Sequence, residues 1–94
     1  MKRKLKDGVE SLPNIGPITA VKLKKIGITT TDDFLKQDPY EIFETLRREV
    51  DPTLCRCALA TIVGASEGKP WHRITKQTTR EYERRHPYHR WGKC

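Results

Sequence analysis

The sequence predicts an all-α fold, a compact bundle of five to six short helices. Three observations carry this reading. Helix start and stop signals recur at short intervals, and no segment sustains the period-2 alternation of apolar and polar residues that a half-buried strand needs. The chain has 94 residues, 35% hydrophobic and 33% charged, which is enough for one core and no second domain.

The elements follow in order. Asp7 is placed to cap a short first helix that carries Val9 and Leu12 and stops at Pro13. Pro17 opens a second helix, because its ring presets φ and its missing N–H has no intrahelical partner at that position; Gly27 ends it as a left-handed cap. Thr30 or Thr31 opens a third, with Asp32 and Asp33 at the positive end of the helix dipole and Phe34 and Leu35 turned inward. In Asp38-Pro39-Tyr40-Glu41 an acidic cap, a proline and a carboxylate three residues after the cap start a fourth helix, buried through Ile42, Phe43 and Leu46. Asp51-Pro52 repeats that signal and opens the most apolar helix, with Leu54, Ala58, Leu59, Ile62, Val63 and Ala65, stopped by Gly68 and Pro70. Trp71 and Ile74 form a patch after the turn, and Thr75 caps a last, polar helix reaching about Arg85. Tyr82 is its one large anchor, so weak docking is expected, with a loosely held segment after His86-Pro87. The expected core is Leu12, Ile15, Leu23, Ile28, Phe34, Phe43, Leu46, Leu59, Ile62 and Trp71.

Charge is distributed unevenly. The net is +7, with Lys2, Arg3, Lys4 and Lys6 at the start and eight basic against two acidic residues from 69 to 94, whereas residues 28–51 carry a net −4. One face therefore suits a polyanion and another repels it. No apolar run approaches the roughly 18 residues of a membrane span, and the basic start lacks the apolar stretch of a signal peptide, so a cytoplasmic protein without membrane contact is expected. Three cysteines, Cys55, Cys57 and Cys94, are expected to be free thiols.

The most informative stretch is Leu12-Pro13-Asn14-Ile15-Gly16-Pro17-Ile18-Thr19-Ala20, followed by Leu23, Gly27 and Ile28. It resembles the helix-hairpin-helix motif, in which a Leu-Pro-x-Ile-Gly turn joins two short helices and the second ends in Gly-Ile. Ile15 plugs the space between the helices, Gly16 lets another backbone approach, and Ala20 and Leu23 face the first helix. The N–H groups of Gly16, Ile18 and Thr19 lie at the positive end of a helix without intrahelical acceptors, a place where a phosphate fits. Lys22 and Lys25 are spaced to reach flanking phosphates. Asn14 stands where the motif commonly has glycine and tolerates the left-handed backbone needed there. The expected phosphate contacts are therefore Asn14, Gly16, Ile18, Thr19, Lys22 and Lys25, and the resemblance implies sequence-independent binding to the sugar-phosphate backbone.

Leu-Pro-Asn-Ile-Gly-Pro, Lys-Lys-Ile-Gly-Ile, the Asp-Pro helix starts and the Gly68 to Trp71 step together resemble the C-terminal domain of the TfoX (Sxy) competence-regulator family over about residues 9 to 75. The chain is also similar to a small bacterial family named from a pathogenicity locus and a supposed mitomycin resistance. That family has the same hairpin, an Asp-Pro helix, and a cysteine-bearing helix like Leu54-Cys55-Arg56-Cys57. Neither resemblance implies a catalytic activity.

The remaining constellations point away from chemistry. Cys55 and Cys57, two apart on an expected helix, face about 200° apart and read as small buried residues rather than ligands of one metal. His86, His89 and Cys94 lack a paired fourth ligand, so a solvated basic tail is favoured over zinc. No nucleophile and base pair, phosphate loop or dinucleotide fingerprint occurs; no catalytic residue, metal or cofactor is expected. Arg84, Arg85, Arg90 and Trp91 are candidate auxiliary contacts, basic groups for phosphates and an indole for stacking. The organisation expected is a basic arm at 1–6, a hairpin domain at 7–75 and a polar basic helix and tail at 76–94. The expected function is a non-catalytic accessory or regulatory module binding nucleic acid, duplex DNA in particular, weakly and without sequence preference. The alternative is a protein-interaction or homodimerisation module in which the hairpin is structural only.

Overall fold

Two clusters of buried side chains organise the molecule, and the central helix contributes to both. The computed structural model describes residues 8–91, so the basic arm, Asp7 and Cys94 lie outside the described residues. A 3-10 turn, Val9–Ser11, is followed by α1 (Pro17–Lys25), α2 (Thr31–Leu35), α3 (Pro39–Glu49), α4 (Arg56–Glu67) and α5 (Trp71–Arg85). Among the described residues the extended pairing is an isolated bridge between Gly8 and Thr30, so the all-α expectation holds.

The first cluster gathers Val9, Ile15, Leu23, Ile28, Phe34 and Ile62. It binds the 3-10 turn, α1 and α2 to the inner faces of α3 and α4. The second joins Phe43, Leu59, Val63, Ile74 and Tyr82, which locks α3, α4 and α5 together. Phe43 and Tyr82 meet edge to face at 5.3 Å, a favoured aromatic geometry.

Most helix ends lie where the local signals place them. Thr30 accepts from the Asp33 N–H and the Asp33 carboxylate accepts from the Thr30 N–H, a complete capping box. Asp38 caps α3 by accepting from the Tyr40 N–H at 2.9 Å. Gly27 (φ 85°) and Gly68 (φ 71°) take the left-handed conformation that ends α1 and α4.

Six expectations are corrected. The first helix is a three-residue 3-10 turn with Gly8 before it, because Pro13 leaves too little chain for α-helical bonds. Leu35 is 51% exposed, since the five-residue α2 turns only Phe34 inward. α4 starts at Arg56 rather than Pro52: the Asp51 carboxylate that was to cap it instead accepts from the Thr53 N–H and from Lys22, holding residues 51–54 in a turn. α5 starts at Trp71 rather than Thr75, whose hydroxyl donates back to the Trp71 carbonyl, so residues 71–85 form one continuous helix. Its docking is firm, with Ile74, Thr78 and Tyr82 buried at four-residue intervals, while Trp71, expected in the core, is 39% exposed at its first turn.

Candidate nucleic-acid interface

The corner between the 3-10 turn and α1 is built by two buried side chains and one strained residue. Val9 and Ile15 are buried on either side of Pro13-Asn14. Between them Asn14 adopts φ 69°, the left-handed conformation that its short polar side chain tolerates. Its Nδ2 donates to the Lys69 carbonyl at 2.8 Å, tying the corner to the α4–α5 turn. The fit is close: a Cβ on Gly64 would lie 2.5 Å from that same carbonyl and 2.6 Å from the amide nitrogen.

The start of α1 then faces outward. Gly16 precedes it in extended backbone, Pro17 occupies the first position, and the first turn contains no acidic residue. The N–H groups of Gly16, Ile18 and Thr19 have no hydrogen-bond partner among the described residues, and the Ala20 N–H closes the first turn onto the Gly16 carbonyl at 2.9 Å. A Cβ on Gly16 would meet nothing within 4 Å, so open space lies beside these donors. Three outward N–H groups at the positive end of a helix are suited to an anion.

The expected contact residues divide. Gly16, Ile18 and Thr19 lie at the start of α1, whereas Lys25 is its last residue; Pro17, Ile18, Val21, Lys22 and Lys25 line an open patch along the helix. The Asn14 side chain is spent on the Lys69 carbonyl. Lys22 does not reach outward: its ammonium lies 2.6 Å from Asp51 Oδ2, half-buried. That hydrogen bond, with a further contribution from Thr53, holds the Asp51 carboxyl well below the usual carboxylate range.

The auxiliary set is also mostly engaged. Arg84 and Arg85 both bind Glu81, which together pull its carboxyl down to about 2. Arg85 also reaches Asp38 and lies 4.3 Å over the Tyr40 ring. Trp91 donates to Glu83 at 3.0 Å and packs near Phe43 and Tyr82, so the segment expected to be loose folds back onto α3 and α5. Arg90 and Tyr88 remain exposed. A feature outside the expected set is an exposed groove on α5 with Arg73, Lys76, Arg80 and Arg84 on its walls. Arg73, Lys76 and Arg80 form no ion pair among the described residues; their spacing of three and four residues was the available signal.

The cysteine expectation changes at one position. Cys55, which precedes α4 as its N-cap, carries a disulfide, so it is not a free thiol; Cys57 is free and half-buried. Among the described residues no group of three or more His, Cys, Asp or Glu side chains is placed to hold a metal ion, and His86 instead pairs with Glu44 at 3.2 Å. No described helix is long and apolar enough to cross a membrane.

This arrangement of a short helical corner on a small helical bundle has relatives. The chain belongs to the Cdd1 pathogenicity-locus family, whose model matches residues 2–80. That is the second of the two resemblances drawn from the sequence; the TfoX resemblance has no support among the comparisons. The fold is similar to the crystal structure of an uncharacterised protein from Listeria monocytogenes, with a TM-score of 0.72 at 24% identity over 88% of this chain and 98% of that one. No curated protein matches the chain.

Proposed function

We propose that the protein is a non-catalytic module that binds the sugar-phosphate backbone of DNA without sequence preference, using the start of α1 as a helix-hairpin-helix-type phosphate site. One observation carries the reading. Among the described residues the N–H groups of Gly16, Ile18 and Thr19 have no partner, no acid in the first turn and no steric cover, in a chain of net charge +7. Lys25, at the far end of α1, lines an open patch with Ile18, and Arg73, Lys76 and Arg80, without an ion pair among the described residues, add long-range attraction from α5. Two corrections narrow the contact set: Lys22 neutralises Asp51 rather than a phosphate, and Asn14 shapes the corner rather than touching the ligand.

A protein-interaction role is the second reading, favoured by Ile18 at 73% and Val21 at 53% exposure on the outer side of α1. Salt separates the two. Titration of labelled duplex DNA at two ionic strengths is expected to give a log–log slope of roughly −0.9 per neutralised phosphate. An apolar interface changes little with salt, and absence of DNA binding at low salt rejects the first reading.

A further inference from the structure

We infer that the cavity beside α1 receives one unstacked nucleobase, so that the module prefers single-stranded over duplex DNA. This rests on the backbone-binding reading above and names the form of nucleic acid that the same site takes. The cavity holds about 310 Å³ between α1, α3, α4 and the first turn of α5. Leu46, Leu54, Ala58 and Ile62 give it apolar walls, and Trp71 contributes an indole.

Three features select a base over other occupants. Trp71 is 39% exposed although it adjoins this cavity, so its ring is reachable from solvent and offers a stacking surface. The Thr19 hydroxyl makes no hydrogen bond among the described residues and is a free polar handle on the wall, where the Thr61 hydroxyl is taken by the Cys57 carbonyl and Lys22 by Asp51. Thr19 also carries one of the unpartnered N–H groups at the start of α1, so a phosphate on that helix end and a base in the cavity meet the same residue. Lys22, paired with Asp51, closes the wall on that side. A base paired and stacked within a duplex cannot enter; an unpaired one enters without breaking a base pair.

Cys57 supplies an internal reporter, because this free thiol lines the cavity. The test compares oligothymidine with relaxed closed-circular duplex DNA at low salt. It follows alkylation of Cys57 on its own peptide by mass spectrometry, and Trp71 emission in a Trp91→Phe background. Oligothymidine is expected to bind about tenfold more tightly per site than duplex, the scale of one base–aromatic stack, to quench Trp71 and to slow alkylation of Cys57. Duplex is expected to bind without either change. Trp71→Ala, at a part-exposed position, and Cys57→Leu, which fills the cavity, are expected to bring oligothymidine down to the duplex level and leave duplex binding unchanged.

Equal binding of both DNA forms with Trp71 and Cys57 unaffected overturns the cavity proposal and leaves backbone binding standing. Binding of neither form overturns both. Protection of Cys57 by benzene but not by oligothymidine makes the cavity a site for an apolar small molecule and overturns the proposal.

Discussion

Asn14 and Lys69 meet where the side-chain amide of the first donates to the backbone carbonyl of the second at 2.8 Å, over a glycine that leaves no room for a methyl group. Asn14 thus has two tasks, a left-handed backbone and a tie across the molecule. Asn14→Gly preserves the first and loses the second, and is expected to cost about 1 kcal/mol. Asn14→Ala loses both and is expected to cost about 2 to 3 kcal/mol. Gly64→Ala drives a Cβ into the same contact and is expected to cost at least as much as Asn14→Ala. Urea denaturation of the three variants gives this order, and equal stability of Asn14→Ala and parent contradicts it.

Lys22 and Asp51 predict a pH dependence. The folded-state pKa of Asp51 is depressed, chiefly by the Lys22 hydrogen bond, so its stabilisation is complete above the unfolded value of about 3.9 and is lost as pH falls below that. Asp51→Asn is expected to lower stability at neutral pH and to flatten the acid limb of the stability profile. The expected effect of Lys22→Ala on the salt slope for DNA is nil, whereas Lys25→Ala reduces it by about one phosphate.

The folded-back tail has its own titration. Burial first, then the Arg47 charge, lowers the pKa of His89, which packs against Tyr82 and Trp91. The neutral ring is therefore favoured in the folded state. Its contribution is complete above the ordinary histidine value of about 6.5 and is lost as pH falls through the folded value. Trp91 emission, read in a Trp71→Phe background, is expected to shift toward that of a solvated indole on acidification, and His89→Leu to remove the shift.

Leu59 is fully buried in the central helix between Phe43 and Tyr82. Leu59→Ala is expected to remove about 2 to 5 kcal/mol, a large share of the stability of a small domain. A change near zero in thermal or urea unfolding contradicts the central place given to α4.

The features legible in the sequence are those fixed within one turn of chain. Thr30, Asp38, Pro17, Gly27 and Gly68 act on neighbours a few residues away, and their signals place those helix ends correctly. The start of α4 is not legible locally, because the fate of Asp51 is decided by Lys22, 29 residues earlier, and no local pattern reveals that partner. The docking of α5 is understated by its sequence because its buried face includes Thr78, a polar residue whose hydroxyl is satisfied by the Thr75 carbonyl, and because it packs on an α4 that carries Ala60 and Gly64. At the site, the outward N–H groups follow from Gly16-Pro17 alone. The pairing of Lys22, the part-exposure of Trp71 and the cavity beside Thr19 arise from tertiary packing.

In the proposed function the preformed end of α1, and not diffuse positive charge, holds the phosphate. Gly16→Val tests it most directly, since the position is extended and uncrowded, so the fold tolerates the side chain while the N–H groups lose their open approach. In a duplex DNA titration at low salt, with helicity first shown to match the parent, the variant is expected to bind about tenfold more weakly at unchanged net charge. A well-folded Gly16→Val protein that binds DNA as tightly as the parent contradicts the account and assigns the affinity to the basic face of α5.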